Sequence, residues 1–279
     1  MHSLTLLGGH DKEGRPEVLD LTLNRGDILC IVGPTGAGKS RLLEDIGCLA
    51  QGDTPTGRRV LLDHQVPRED QRFAQGNPLV AQLSQNMHFI MDISVREFIL
   101  MHGESRRLDP EEALVERILT CANQLTGEAI QGDMPLTQLS GGQSRSLMIA
   151  DTALLSPSPV VLIDELENAG VDRQRALELL IGEDKLLLVS THDPVLALLG
   201  DRRLCIQRGA VRKVIQTSPA EQRNLAFLSG INKRFLGLRE RLRTGALLDF
   251  DMPAYFAEGS GIAQGANPEG YDEPLPLSL

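Results

Sequence analysis

Residues 28–40 read Ile-Leu-Cys-Ile-Val-Gly-Pro-Thr-Gly-Ala-Gly-Lys-Ser, an apolar run followed by a glycine-rich turn. The apolar run is typical of a strand covered on both faces. The turn matches the pattern GxxxxGK followed by Ser or Thr, which predicts a loop whose backbone N–H groups surround phosphates and a helix beginning near Lys39. Lys39 is expected to reach the β- and γ-phosphates, and the Ser40 hydroxyl to bind Mg²⁺. The predicted nucleotide-binding residues are Gly33, Pro34, Thr35, Gly36, Ala37, Gly38, Lys39, Ser40 and Arg41.

A second apolar run ends in two carboxylates. Residues 160–163 read Val-Val-Leu-Ile and are followed by Asp164 and Glu165. Asp164 is suited to hold Mg²⁺, and Glu165 to orient and deprotonate an attacking water, two roles that phosphoryl transfer needs. The pair alone also fits an ordinary capped loop, but beside a phosphate loop it favours hydrolysis of a nucleoside triphosphate. A third run, residues 186–189, precedes Ser-Thr-His-Asp, so polar side chains are expected at the carboxyl edge of one parallel sheet.

Residues 139–143 read Leu-Ser-Gly-Gly-Gln and precede a predicted helix over residues 144–155. The ordered set of phosphate loop, LSGGQ, aspartate-glutamate strand end and strand followed by His192 resembles the ATP-binding cassette (ABC) family, over roughly residues 4–215. The resemblance implies an α/β fold: a P-loop NTPase with a mixed sheet core, an inserted helical subdomain and, in this chain, a C-terminal helical extension. It also implies an ATP hydrolase that uses ATP and Mg²⁺.

The resemblance further implies that the site is shared between two copies. ABC cassettes pair head to tail, as homodimers or heterodimers, and each nucleotide lies between the phosphate loop of one and the LSGGQ of the other. The residues expected to act in trans are Leu139, Ser140, Gly141, Gly142 and Gln143. His192 is similar to the family's switch histidine. Gln85 is similar to the glutamine that senses Mg²⁺ and relays nucleotide state to a partner, with Gln82 as a rival, and Asp172 fits the D-loop aspartate if one residue is inserted.

The chain departs from the family at the base-binding position. The family stacks adenine on an aromatic residue before the phosphate loop, but no Phe, Tyr or Trp precedes Phe73 here. His10 or Arg15 would supply a flat face instead, although each also fits an ordinary loop residue. Adenine is therefore implied by the resemblance alone.

Composition and patterning outline three regions. We expect an ATPase domain over residues 1–217, with a helical subdomain at about 86–155 that includes helices from Ser94 to about His102 and from the Asp109 cap to about Leu125. Residues 218–243 have helical apolar periodicity and a net charge of +4, and predict an amphipathic extension. Residues 244–279 form an acidic tail, expected to be loosely packed from 249 onward.

The charge and hydropathy of the chain argue against some classes of function. The chain has 28 Lys+Arg and 38 Asp+Glu, a net charge of −10, which argues against a protein that coats nucleic acid. No apolar run is long enough to span a bilayer, no secretory leader is evident and the four cysteines are isolated. We therefore expect a cytoplasmic protein. If it serves a permease, we expect it to be peripheral on the inner face of the membrane. Two roles stay open: the ATPase subunit of a transporter with a separate permease, and a soluble ATPase that remodels, loads or matures a partner.

Overall fold

The computed structural model describes residues 1–73, 79–84, 89–106, 112–165 and 171–257, without the side chain of Glu240. The strands are β1 (Ser3–Leu7), β2 (Asp20–Asn24), β3 (Ile28–Val32), β4 (Arg59–Leu62), β5 (Val80–Leu83), β6 (Val160–Asp164), β7 (Leu186–Ser190), β8 (Arg202–Gln207) and β9 (Ala210–Gln216). The helices are α1 (Lys39–Gly47), α2 (Glu69–Phe73), α3 (Val95–Ser105), α4 (Glu112–Leu125), α5 (Gly141–Leu154), α6 (Arg173–Gly182), α7 (Pro194–Leu199), α8 (Pro219–Arg243) and α9 (Met252–Ala257), with a 3-10 turn at Leu136–Gln138.

Two sheets form from the described strands. One is antiparallel in the order β2-β1-β4, and the other has the order β5-β6-β7-β3-β8-β9. In the larger sheet every neighbouring pair is parallel except β8 and β9, which makes it mixed, as the resemblance implies. Because β3, β7 and β6 are adjacent and parallel, the segments that follow their carboxyl ends meet at one edge of the sheet.

Burial explains which segments became central strands. All five residues of β7 are buried, and so are the first four of β6, as expected of strands covered on both faces. The predicted strand over residues 19–23 corresponds to β2, whose burial alternates and leaves one face partly exposed. The three apolar runs of the sequence therefore became β3, β6 and β7, which are the strands that lead into the site.

Among the residues that the structure describes, the apolar core has three parts. The first lies between the two sheets and includes α1, for example Leu4, Leu29 and Ile46. The second covers the opposite face of the larger sheet and includes Leu177 and Leu196 from α6 and α7. The third joins α3, α4 and α5 into a separate helical cluster. The phosphate loop and residues 139–143 are thus anchored in different parts of the core, since Ala37 packs in the first and Leu139 against the third.

Capping residues determine where the helices α3 and α5 begin. The helix expected from Ser94 is α3, where Ser94 and Glu97 form a reciprocal capping box. Helix α5 begins at Gly141, earlier than the predicted 144, because Ser140 and Gln143 form a second capping box. Helix α4 ends at Leu125, as predicted, whereas the expected Asp109 cap lies outside the described residues.

The chain divides by its internal contacts into two units, Met1–Leu225 and Ala226–Leu279. In the second unit, the expectation of a loosely packed terminus is wrong for Met252–Ala257, which form α9. Aromatic contacts hold this helix, with the rings of Phe235 and Phe256 5.1 Å apart. The Tyr255 hydroxyl donates to the Arg234 carbonyl at 3.2 Å. In the part of the chain that the structure describes, no helix combines the length and apolar character needed to cross a membrane.

Candidate nucleotide-binding site

The phosphate loop connects β3 to α1 through a backbone that requires glycine. Gly36 and Gly38 have φ angles of 74° and 109°, a region that side-chain-bearing residues rarely adopt. A β-carbon at Gly33 would lie 2.4 Å from the Ile206 carbonyl oxygen, and one at Gly38 would lie 3.2 Å from Gly209 Cα. The loop is therefore packed against the β8–β9 turn, and α1 begins directly at Lys39.

The Lys39 ammonium lies at the centre of the site. Its Nζ donates to the carbonyl oxygens of Gly33 at 3.0 Å and Pro34 at 3.4 Å. The same Nζ lies 2.9 Å from His192 Nε2. Since an ammonium group has no acceptor, His192 Nε2 is the acceptor in this contact. The structure thus joins the phosphate loop to the segment that follows β7.

Ser40 and Asp164 meet at the same edge of the sheet. The Ser40 hydroxyl donates to Asp164 Oδ2 at 3.0 Å, across 124 residues of sequence. Ser40 is the second residue of α1, and Asp164 is the last residue of β6. A hydroxyl and a carboxylate supply hard oxygen atoms of the kind that Mg²⁺ binds together with substrate phosphates.

Glu165 lies next to His192. Its backbone has a φ of 52°, and its N–H donates to the Ser190 carbonyl at 3.1 Å, which holds Glu165 against the end of β7. Its Oε1 is 3.8 Å from His192 Nε2. The segment after β7 is also fixed, because the Thr191 N–H donates to the carbonyl of Ile31 in β3 at 3.1 Å. The predicted base and the predicted switch histidine therefore lie side by side.

A pocket of about 290 Å³ opens beside the phosphate loop, lined by His10, Asp11, Lys12, Gly38, Arg41, Pro55, Thr56 and Gly209. Two residues, His10 and Arg15, are predicted to supply a flat face for the base. Of these, His10 lines the pocket. Arg15 pairs instead with Asp11 at 2.8 Å and Glu13 at 2.7 Å. Burial raises the pKa of Asp11, but hydrogen bonds from the Arg15 backbone and from the guanidinium groups of Arg212 and Arg15 outweigh it and hold the pKa well below its usual range. Arg41 pairs with Glu44 at 2.7 Å.

Residues 139–143 lie at the start of α5. The Ser140 hydroxyl accepts from the Gln143 N–H at 3.2 Å, and the Gln143 side chain accepts from the Ser140 N–H at 2.9 Å. Ser140 is exposed, and a β-carbon at Gly141 would meet nothing within 4 Å. The structure therefore leaves this helix N-terminus accessible within a single chain.

Of the two remaining predicted site residues, the structure describes Asp172 but not Gln85. Asp172 caps α6, accepting from the Arg175 N–H at 3.2 Å, and its own N–H donates to the Leu125 carbonyl at 2.8 Å. Gln85 lies outside the described residues. The D-loop role of Asp172 and the metal-sensing role of Gln85 stay predictions.

A buried ionic network that was not predicted from the sequence lies beside the pocket. Arg58 is 2% exposed and donates to both Glu17 oxygens, at 2.7 and 2.9 Å, and to Asp45 at 3.0 Å. It also donates to the Gly209 carbonyl at 2.7 Å. The Lys12 ammonium, likewise not predicted, donates to the Gly36 carbonyl at 3.1 Å. These residues are far apart in sequence, and no local pattern connects them.

Comparison with known proteins places the chain among ABC transporter cassettes. The family model for ABC transporters matches residues 17–168. An uncharacterised ABC transporter ATP-binding protein of Methanocaldococcus jannaschii is 48% identical over 257 residues, which covers 92% of this chain and 98% of that protein. The lipoprotein-releasing system ATP-binding protein LolD of Shewanella frigidimarina is 34% identical over 222 residues, covering 75% and 90% of the two chains.

The fold has a counterpart among solved structures. A dimeric ATP-binding cassette bound to ADP and Pi, in a post-hydrolysis state, superposes with a TM-score of 0.57. The match covers 77% of this chain and 99% of the other, at 24% identity. At that identity the likeness establishes the fold alone.

Proposed function

Since the chain belongs to the ABC transporter family of ATPases, we propose that it is the nucleotide-binding subunit of a transporter and hydrolyses MgATP between two paired cassettes. One observation carries the proposal: at the carboxyl edge of the larger sheet the Lys39 ammonium contacts His192, and the hydroxyl of the adjacent Ser40 donates to Asp164. These are the groups that a triphosphate and its metal would need.

The donor chemistry around Ser40 and Asp164 fits Mg²⁺. In the described residues no group of three or more His, Cys, Asp or Glu side chains forms a metal site of its own. Mg²⁺ is usually held by one or two protein oxygens together with phosphate oxygens and water, so one hydroxyl and one carboxylate suffice. Mg²⁺ would supply neutralisation of the triphosphate charge, and Ser40 and Asp164 would hold it.

In the proposed reaction Glu165 orients and deprotonates the attacking water. Its carboxylate is partly exposed at the site, next to the imidazole of His192 at 3.8 Å. His192, which also contacts the Lys39 ammonium, would reach the γ-phosphate and couple its position to that of Glu165. The Lys39 ammonium would stabilise charge that develops on the phosphate oxygens.

The second half of each site would come from another cassette. Ser140 and the N–H groups of Gly141 and Gly142 start α5 and are accessible, and a helix N-terminus favours a phosphate group. In a head-to-tail pair they would face the nucleotide held by the partner's phosphate loop. The pair would close when ATP is bound and open after hydrolysis, which is the conformational work delivered to a permease.

The permease would be a separate chain. This proposal is supported by the similarity to LolD, the ATP-binding protein of a lipoprotein-releasing system. The test is a pull-down from native membrane and soluble fractions with the Glu165→Gln variant, ATP and Mg²⁺. Lys39→Ala serves as the control that cannot hold nucleotide. An integral membrane protein retained only by Glu165→Gln would support the transporter role, and a soluble enzyme retained in its place would overturn it in favour of a remodelling ATPase.

A further inference from the structure

The serine of residues 139–143 is bound to a carboxylate of its own chain. The Ser140 hydroxyl donates to Glu128 Oε2 at 3.2 Å. It also accepts from the Gln143 N–H at 3.2 Å. A hydroxyl carries one proton. While Ser140 donates to Glu128, it therefore cannot donate to a phosphate oxygen.

The loop that carries Glu128 is fixed from two sides. On the α4 side, Asn123 Oδ1 accepts from the Ile130 N–H at 2.6 Å and Asn123 Nδ2 donates to the Ile130 carbonyl at 3.1 Å. On the α5 side, the Gln143 side chain donates to the Ala129 carbonyl at 3.2 Å. The flanking backbone thus holds Glu128 close to the start of α5, although its side chain is exposed.

The charge of Glu128 matters at this position. The N-terminus of α5 attracts anions through its N–H groups and its dipole. Glu128 already supplies one negative charge there, within hydrogen-bonding distance of Ser140. A phosphate group that approaches Ser140 would meet a like charge only a few ångströms away, which weakens its binding.

We propose that Glu128 restrains closure of the two-cassette site by competing with the γ-phosphate for the Ser140 hydroxyl. The proposal rests on the proposed function, in which Ser140 meets the nucleotide bound by a second cassette. Closure then requires the hydroxyl to rotate from Glu128 to the phosphate oxygen, with no covalent change. Glu128 is a positioning residue that acts through Ser140, and it raises the ATP concentration at which the pair closes.

The test measures dimer formation against ATP concentration in the Glu165→Gln background with Mg²⁺, by sedimentation velocity. Glu128→Ala should lower the ATP concentration for half-maximal dimerisation by about fivefold, the size expected for one exposed charge interaction. Glu128→Asp keeps the charge but shortens the reach of the carboxylate toward the Ser140 hydroxyl, and should fall between the parent and Glu128→Ala. Glu116→Gln removes a charge from the exposed side of α4 and should change nothing.

A double-mutant cycle tests the route through the hydroxyl. In a Ser140→Ala background, Glu128→Ala should lower the ATP requirement by clearly less than it does with Ser140 present, because the contested proton is gone and only the repulsion between Glu128 and the phosphate is relieved. An equal effect in both backgrounds would overturn the competition for the hydroxyl. If Glu128 served only to stabilise α5, Glu128→Ala would lower the melting temperature and raise the ATP requirement. An unchanged or higher requirement in Glu128→Ala would overturn the proposal.

The failure of this inference is separable from that of the proposed function. If Ser140→Arg abolishes dimerisation while Glu128→Ala has no effect, the shared site holds and only the restraint by Glu128 is wrong. If Ser140→Arg dimerises normally with ATP, the shared site itself is wrong. Binding of a fluorescent ATP analogue to the monomer should be equal in all these variants, since each retains an intact phosphate loop.

Discussion

The Lys39 ammonium lies 2.9 Å from His192 Nε2, although 153 residues separate the two in sequence. The contact exists because β3 and β7 are parallel neighbours, paired from Ile28 with Leu187 to Ile31 with Ser190. The loop after each strand therefore leaves the sheet at the same edge. One short contact thus links the group that would bind the triphosphate to the group that would sense its γ-phosphate.

Replacement of Lys39 should abolish tight nucleotide binding. Lys39→Ala removes the buried ammonium that is held between the phosphate loop and His192, and charge-assisted contacts of this kind are among the strongest in proteins. We expect affinity for MgATP to fall at least tenfold, measured by isothermal titration calorimetry. Lys213→Ala, on the exposed side of β9, is the matched control and should bind normally. Equal affinities for the two variants would contradict the proposed triphosphate site.

Replacement of Asp164 should raise the Mg²⁺ requirement. Asp164→Asn keeps the shape of the side chain but removes the charge that would hold the metal beside Ser40. We expect the Mg²⁺ concentration for half-maximal ATPase activity to rise roughly ten- to a hundredfold, the range known for losses around metal ligands. Asp201→Asn, an exposed carboxylate before β8, should leave the requirement unchanged. An unaltered Mg²⁺ dependence in Asp164→Asn would remove Asp164 from the metal site.

His10 should contact the nucleotide base. It lines the pocket beside the phosphate loop, whereas Arg15 is engaged by Asp11 and Glu13. Loss of one stacking partner typically costs about 1–3 kcal/mol, so His10→Ala should weaken ATP binding by about tenfold. Inorganic triphosphate, which has no base, should bind the variant as well as it binds the parent. Arg15→Ala is the control. A larger loss of ATP affinity in Arg15→Ala than in His10→Ala would indicate that Arg15, and not His10, contacts the base.

The Arg58 network should be a major source of stability. Arg58→Met would leave the carboxylates of Glu17 and Asp45 buried without their cation, a change that typically costs 3–5 kcal/mol. We expect the free energy of unfolding, measured in urea, to fall by about that amount. Arg59→Met, at the adjacent exposed position of β4, should alter it little. Similar losses of unfolding free energy in both variants would contradict a stabilising role for the buried ion pairs of Arg58.

The parts of the site that are local in sequence were predictable. The phosphate loop, Asp164, Glu165 and His192 each follow a continuous apolar run, and such runs become buried parallel strands. The strands β1 and β4 were not predicted, because they pair with each other across more than fifty residues of sequence. The hairpin of β8 and β9 was not predicted either. The irregular pairing between β8 and β9 at Cys205 and Ile206 leaves no simple alternation to detect.

The side-chain networks could not be predicted from sequence spacing. Arg58 meets Glu17 and Asp45 across 41 and 13 residues, and only the fold brings them together. The start of α5 did carry a signal, since Ser140 followed three residues later by Gln143 is the pattern of a capping box. The predicted domain limits and the roles of Gln85 and Asp172 stay predictions.

If one catalytic site needs two cassettes, the Glu165→Gln variant should show it in sedimentation velocity. With MgATP this variant should sediment as a dimer, and without nucleotide it should not. Added Ser140→Arg should return it to a monomer that still binds ATP, while added Thr137→Arg, at an exposed position of the 3-10 turn before α5, should leave the dimer intact. A full dimer that persists with Ser140→Arg would mean that Ser140 takes no part in a site shared by two cassettes.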